Sequence, residues 1–438
     1  MIGVKKYKVK DLLVGIVSCA TLFWYIYTPN IKYIPISVDK ILLALFLLWA
    51  LFNCRRLFRK SLLSKEVFIL LSLYIFVFVY TFALDMLIID GFSTTYHILQ
   101  YSVQYIPFSI CLYLYMFSHY GEKTLNQLFK FLLLIIFGQS VLGLFMLLDP
   151  ELKILVYGIQ SRGDELYKGL LLRGNGYSSG LMFSVPVIHC IVISALFCSR
   201  NFIPLSLKIL LLVIVLTAAV TNARVALVPI LLILPFVLGN TFRLAGFVSM
   251  IKGLLIVVGV MFVLWALLPA NVLSVEQFDQ VSKITNWLVG GYANLFGFDF
   301  SGNREGIRDI LLRDSTYLNF EAIPLIFGMG ENAFAALKNQ SDLGVINLIR
   351  FGGLLYFLLV HIVTYFCIYC SYIRADSELY RRLVMLIGIT YFVVSFKGIV
   401  FSEQIFSRFM ILICMFIILH SIRNRLTVVR PTSIRLEL

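Results

Sequence analysis

Long apolar runs, separated by short polar segments, make up most of the chain. Most of these runs are about 17 to 25 residues long, which is the length of helix that crosses a bilayer. They predict about twelve transmembrane helices, with the approximate spans 11–28, 38–54, 66–89, 96–118, 126–148, 177–198, 206–222, 225–239, 252–268, 345–371, 381–397 and 404–422. The seventh and eighth spans are kept separate because one continuous helix would bury Arg224 in lipid.

Lysine and arginine are concentrated in alternate loops, which orients the predicted helices. Cytoplasmic loops of membrane proteins carry this excess, so both termini are predicted to be cytoplasmic. The first region, 1–268, then holds nine helices and an outer segment at 149–176. A large outer loop follows at 269–344, and 345–438 holds the last three helices and a basic tail. Within the large loop, the charged and leucine-rich stretch 307–312 predicts an amphipathic helix at the membrane interface.

The composition agrees with this pattern and excludes several classes of protein. The chain is 60% hydrophobic and 14% charged, whereas a soluble chain is about half apolar and about a quarter charged. A soluble enzyme, a disordered chain and a secreted disulfide scaffold are therefore excluded. The net charge of +14 is explained by cytoplasmic loops, and nucleic acid is not a predicted partner. Cys367 and Cys370 have the spacing of a metal or redox pair, but no second pair or histidine accompanies them in a polar loop. No nucleotide-binding motif occurs, so no cofactor is predicted.

Basic side chains at the outer ends of predicted helices are the candidates for binding. Ionisable groups at membrane depth usually face a bundle interior or a watery cavity. The guanidinium group holds phosphate with a planar fork, which suits the diphosphate headgroup of a lipid. The candidates are Arg173, Arg224, Arg350, Arg408 and Lys397. The alternative is that these side chains extend to the interface or pair with Asp342 and Glu403.

Two carboxylates beside these arginines are candidates for general base catalysis. Asp342 precedes the tenth predicted helix, and Glu403 precedes the twelfth. A general base must lie within hydrogen-bond reach of the proton that it accepts. Both positions lie near a predicted diphosphate site, although pairing with an arginine is the alternative role for each.

Four short stretches resemble the Wzy-type O-antigen polymerases and, more distantly, the O-antigen ligases. They are Leu172-Arg173-Gly174-Asn175-Gly176; Thr221-Asn222-Ala223-Arg224; Phe327-Gly328-Met329-Gly330 with Ser341-Asp342-Leu343-Gly344 and Gly352-Gly353; and Phe396-Lys397-Gly398 with Arg408. The predicted topology, with about twelve helices and one large outer loop late in the chain, is similar to theirs as well.

The resemblance implies an all-α membrane bundle of the GT-C type and a metal-independent glycosyltransferase of lipopolysaccharide biosynthesis. Such an enzyme transfers a growing glycan from undecaprenyl diphosphate to another undecaprenyl-diphosphate-linked repeat unit. It lies in the bacterial inner membrane with its active site on the periplasmic face, among membrane lipids, and a chain-length regulator is a possible partner. Ligases of this superfamily have a histidine in the large outer loop, and 269–344 contains none, which favours a polymerase.

Two alternatives remain open at this point. A flippase or other carrier of lipid-linked oligosaccharides also places charges in a central cavity. The asymmetric outer loop and the absence of an internal repeat count against it. An O-antigen ligase would use the same donor with a different acceptor.

Overall fold

The computed structural model describes residues 9–29, 31–34, 37–53, 64–87, 93–160, 176–178, 183–198, 202–223, 226–231, 321–329, 344–396 and 404–428. Almost all of these residues are helical. The predicted helix at 252–268, the interfacial helix at 307–312 and most of the span 225–239 lie outside them.

The helices follow the predicted order along the chain. The first half contains α1 (Val9–Tyr27), α2 (Val38–Phe52), α3 (Lys65–Leu87), α4 (Ser93–Gln100), α5 (Ile106–Tyr120), α6 (Thr124–Leu148), α7 (Pro150–Ile159), α8 (Ser184–Cys198) and α9 (Leu205–Asn222). The second half contains α10 (Ala322–Phe327), α11 (Gly344–Arg374), α12 (Glu378–Ser395) and α13 (Gln404–Val428). A π-helical turn, Tyr101–Tyr105, joins α4 to α5.

The prediction of a helical membrane protein agrees with this architecture. Among the described residues, four stretches are long and apolar enough to cross a membrane: Lys65–Met86, Ile98–Leu148, Gly344–Arg374 and Gln404–Asn424. The second of them includes the turn Gly121–Lys123 and therefore covers both α5 and α6. Shorter apolar helices lie at Asp11–Tyr27, Ser184–Phe197 and Ser206–Asn222.

Two local predictions need correction. The sixth predicted helix was placed at 177–198, but α8 begins at Ser184. No helix is predicted in the outer segment 149–176, yet its first part forms α7. Asp149 caps α7 by accepting hydrogen bonds from the backbone amides of Glu151 and Leu152 at 2.9 and 3.2 Å. Pro150 at the first helical position has no amide to leave unpaired.

Helix α13 forms the centre of the bundle. It is apolar on nearly every side, and 94% of its membrane-length window is buried within the protein. A helix that is apolar all round is stable only where other elements or lipid surround it. By contrast, α3 exposes Phe68, Phe76 and Val79 on its outer side, which is the arrangement of a lipid-facing helix.

Hydrogen bonds and an ion pair define two ends of the bundle. At one end, Arg374 of α11 pairs with Glu66 of α3, and the Tyr380 hydroxyl donates to Asn126 at 2.9 Å. The other end, where α1 ends and α2, α11 and α13 begin, contains Asp39 and is called the Asp39 end below. There the Lys32 amide donates to the Ile159 carbonyl at 2.9 Å.

A break in α11 occurs at Gly353, where α10 docks against it. Gly353 has φ 72° and ψ −175°, and Gly328 has φ 85° and ψ 171°. This backbone region is occupied almost only by glycine. The sequence predicted a helix through this point and did not reveal the break.

Two carbonyl groups beside the break accept hydrogen bonds from other parts of the chain. The Met329 amide donates to the Arg350 carbonyl at 2.8 Å. The Tyr80 hydroxyl of α3 donates to the Gly352 carbonyl at 3.2 Å. Carbonyl groups next to an interrupted helix need such partners because unpaired backbone groups are costly at membrane depth.

Replacing Gly353 or Gly328 with Ala tests this close approach. A Cβ at Gly353 would lie 2.5 Å from the Phe327 amide nitrogen, and one at Gly328 would lie 2.6 Å from the Gly353 nitrogen. We expect each variant to lower the free energy of unfolding by at least about 2 kcal/mol, since strain adds to overlap. The melting temperature of the purified protein in detergent measures the loss.

Gly138→Ala is the matched control, because a Cβ there meets nothing within 4 Å. Alanine in the interior of a helix is more favourable than glycine by about 0.5 to 1 kcal/mol, so this variant should retain or gain stability. Equal melting temperatures for all three variants would contradict the importance of the docked break.

Candidate functional site

Arg408 lies one turn into α13 and is buried, with 3% of its surface exposed. Its Nη1 is 2.9 Å from Oδ2 of Asp39, a residue in the first turn of α2. The same nitrogen donates to the Tyr25 carbonyl at 3.2 Å. Asp39 is 4% exposed, so both charges are withdrawn from solvent and depend on each other.

The π-helical turn completes the surroundings of this ion pair. It places Gln104 so that Nε2 donates to Asp39 Oδ2 at 2.5 Å. The guanidinium carbon of Arg408 lies 5.0 Å from the ring centre of Tyr105 and 5.6 Å from that of Tyr25. These distances are within the range of cation–π attraction. The extra residue of a π-helical turn often occurs at functional sites, and here it directs an amide at a buried carboxylate.

One donor in this cluster has no acceptor among the described residues. The Nε of Arg408 is buried and makes no hydrogen bond there, although the Nη1 of the same group makes two. Leaving a donor of a charged group without an acceptor is unfavourable. The Arg408–Asp39 pair therefore holds an arginine whose hydrogen-bonding capacity is incompletely used.

Arg350 lies in the first part of α11, three residues before the break. Its side chain is half-buried, and its carbonyl receives the amide of Met329. Since α10 docks at the same point, it adjoins the backbone that carries Arg350. Arg350 is thus more accessible than Arg408.

A second polar cluster surrounds His189 on α8. The Tyr27 hydroxyl lies 2.7 Å from its Nε2, and Ser140 Oγ lies 3.2 Å from its Nδ1. A cavity of about 10 Å³, large enough for one water molecule, is lined by residues that include Gln139, Ser140, His189 and Asn222.

Gln139 also hydrogen-bonds Tyr177, which directly follows the predicted outer segment 149–176. Its Nε2 donates to the Tyr177 carbonyl at 2.9 Å, and its Oε1 accepts from the Tyr177 amide at 2.8 Å. Ser178 donates to the Tyr27 carbonyl at 3.4 Å. These bonds fix residues 176–178 on α6 and α1 at the Asp39 end.

Of the seven predicted site residues, the structure describes two, Arg350 and Arg408. The other five lie outside the described residues: Arg173, Arg224, Asp342, Lys397 and Glu403. Arg408 has an acidic partner, as the alternative interpretation allowed, but that partner is Asp39. The predicted phosphate-binding and base-catalysis roles stay predictions.

Sequence reasoning missed Asp39, Gln104 and His189. An acidic residue in the first turn of a helix is usually explained by its favourable interaction with the helix dipole. The sequence therefore provided no reason to expect that Asp39 forms a buried ion pair. His189 has no partner at helical or loop spacing in the sequence. Its partners lie 49 and 162 positions away in the sequence, so no local pattern could reveal them.

Comparison with known proteins adds no relative: no protein-family model, curated protein or solved structure matches the chain. Within the described residues, no group of three or more His, Cys, Asp or Glu side chains is arranged to hold a metal ion.

The Arg408–Asp39 pair can be tested by a double-mutant cycle. Removing one member of a buried ion pair leaves the other charge uncompensated and costs about 3 to 5 kcal/mol. We therefore expect Arg408→Gln and Asp39→Asn each to destabilise the protein strongly. The double variant should lose less than the sum of the two, which equilibrium unfolding in detergent can measure.

Arg382→Gln provides the matched control. Arg382 pairs with Glu378 at 2.7 Å on the surface, one turn away on α12, and exposed pairs contribute about 0 to 1 kcal/mol. If Arg408→Gln costs no more than Arg382→Gln, the buried pair does not stabilise the bundle.

Proposed function

We propose that the chain is a membrane-embedded glycosyltransferase that polymerises undecaprenyl-diphosphate-linked oligosaccharide repeat units at the Asp39 end. The observation that carries the proposal is the position of Arg350 and Arg408. They belong to α11 and α13, which pack together and both begin at this end. From the helix starts, Arg350 is about 9 Å and Arg408 about 6 Å along the axis. Two arginines from separate helices thus lie near the same end of the bundle.

Described residues that are close in sequence to Arg224 and Arg173, two other predicted site residues, support a site at the same end of the bundle. Asn222, two positions before Arg224, lines the cavity that Gln139 also lines. Gln139 in turn bonds Tyr177, four positions after Arg173. These described neighbours lie together although they are separated by 45 positions in the sequence.

The chemistry is a single displacement at the anomeric carbon of the donor. A hydroxyl group of the acceptor sugar forms the new glycosidic bond, and the bond from that carbon to the lipid diphosphate breaks. The diphosphate leaves with the electron pair, and the hydroxyl proton passes to a base, for which Asp342 and Glu403 are the proposed candidates. Catalysis then depends on aligning two substrates and on neutralising the negative charge that develops on the leaving group.

The two described arginines have different parts in this proposal. Arg350 is half-buried and can contact a phosphate oxygen directly. Arg408 is paired with Asp39, which compensates its charge, so it shapes the wall of the site. Arg173, Arg224 and Lys397 are proposed to supply further cationic groups.

The membrane arrangement is part of the same proposal. The Asp39 end faces the periplasm, both termini lie in the cytoplasm, and about twelve helices cross the bacterial inner membrane. This arrangement would class the chain with the GT-C glycosyltransferases. The partners would be the two lipid-linked glycans, the surrounding lipids and a chain-length regulator.

Arg350→Ala tests the proposal. Losing one preorganised group that stabilises developing charge lowers the rate by about 10²- to 10³-fold, so long glycans should disappear while the protein remains in the membrane. Gel electrophoresis of the lipid-linked glycans and immunodetection of the protein give the two readouts. Arg224→Ala should behave in the same way.

Arg382→Ala is the control for a lost arginine, because Arg382 lies with Glu378 on the exposed side of α12. It should leave glycan length unchanged. If long glycans persist in a stably inserted Arg350→Ala variant, Arg350 does not hold the leaving group and the proposal loses its main support.

The break in α11 favours a second candidate, a carrier of lipid-linked oligosaccharides. Discontinuous helices near a central site are typical of secondary transporters. Purified protein in detergent, given lipid-linked repeat units, distinguishes the two functions. A polymerase lengthens the glycan without a sealed membrane, whereas a carrier leaves glycan length unchanged and moves the lipid only between the leaflets of sealed vesicles.

A further inference from the structure

Helix α7 presents an apolar face away from the protein. Its exposed residues recur at the spacing of one helical face; they are Glu151, Ile154, Leu155, Gly158 and Ile159. The three aliphatic side chains are 52%, 60% and 39% exposed, in chain order. A helix that lies on a water-facing surface normally turns such residues inward.

The opposite face of α7 packs against the protein. Val156 and Tyr157 are buried with Met146 of α6. Lys153 is also buried, and burial lowers the pKa of its amine to about 8. The helix therefore buries its one cationic side chain and exposes its aliphatic ones, which is the reverse of a water-exposed arrangement.

Elements next to α7 in the chain or bonded to it also expose apolar side chains. Helix α6 ends at Leu148, two positions before the start of α7, and exposes Phe145 near that end. The neighbouring loop is attached by the Lys32 amide and exposes Tyr33 and Ile34. Tyrosine is enriched at the level of lipid headgroups. Exposed apolar side chains thus occur near the end of α6, along one face of α7 and in the loop that is bonded to the end of α7.

We infer that α7 lies in the plane of the membrane at the Asp39 end and that lipid covers its exposed face. Ile154, Leu155 and Ile159 enter the boundary between headgroups and acyl chains, which is the usual position of an amphipathic interfacial helix. Tyr33 lies at the headgroup level beside them. This inference does not depend on the proposed enzymatic function.

The inference also sets the depth of the His189 cluster. If α7 marks the interface, Ser140 lies about 12 Å below it along α6. The small polar cavity between α6, α8 and α9 then falls within the hydrocarbon region. Its hydrogen bonds are consequently made by the protein itself, as membrane depth requires.

Spin labels provide the test. In the full chain, with its eight cysteines replaced by Ala or Ser, single labels are placed at Ile154→Cys, Leu155→Cys and Ile159→Cys. The protein is reconstituted in vesicles of phosphatidylethanolamine and phosphatidylglycerol. Power saturation then compares collisions with oxygen, which concentrates in lipid, and with a water-soluble nickel chelate. We expect the oxygen accessibility to exceed the nickel accessibility at all three positions.

A label at Glu378→Cys is the aqueous control, because that side chain is 57% exposed at the start of α12. Nickel accessibility at Leu155→Cys equal to that of this control would overturn the inference. Low accessibility to both reagents would overturn it too, because a second copy of the chain or another protein would then cover the face.

A second variant avoids the removal of the cysteines. Leu155→Trp in the otherwise unchanged chain should gain fluorescence that lipids brominated near the top of the acyl chain quench more strongly than deeply brominated lipids. The unchanged protein in the same vesicles gives the background from the native tryptophans. Unquenched additional emission would exclude contact with lipid.

Discussion

The Arg408–Asp39 ion pair is the interaction on which the centre of the bundle depends. Arg408 is carried by α13, the helix that the others surround, and its charge has no access to water. Such a charge is tolerated only with an opposite charge and oriented dipoles around it. Asp39, the Gln104 amide and the rings of Tyr25 and Tyr105 supply these. The pair therefore fixes the relative positions of α1, α2, α13 and the π-helical turn.

The break in α11 acts on the same end of the molecule. Two glycines in a backbone conformation that other residues avoid bring α10 against α11, and the Tyr80 hydroxyl and the Met329 amide serve the adjoining carbonyls. Arg350 is held immediately beside this junction. Backbone contacts thus connect α10 to the part of α11 that carries Arg350. These contacts are possible because Gly328 and Gly353 have no Cβ atom.

Helix α7 relates this site to the bilayer. A lipid-covered α7 would place the polar cluster around His189, which includes the Tyr27 hydroxyl at the end of α1, below the lipid headgroups. A lipid-linked substrate has its headgroup at the membrane surface and its chain in the hydrocarbon. In either of the two proposed functions, polar groups at the Asp39 end would be suitably placed to bind that headgroup.

The sequence by itself determined the helical membrane class and, within the described residues, most helix boundaries, because the bilayer imposes a length and a hydrophobicity on every crossing. It also indicated Arg350 and Arg408, since charges inside apolar runs are conspicuous. It did not reveal Asp39 as the partner of Arg408, the partners of His189, the break at Gly353 or the outward-facing aliphatic side chains of α7. Each of these depends on residues far apart in the chain or on which side of a helix packs inward. Only the tertiary structure decided them, because hydropathy records how apolar a segment is and not which side chain it meets.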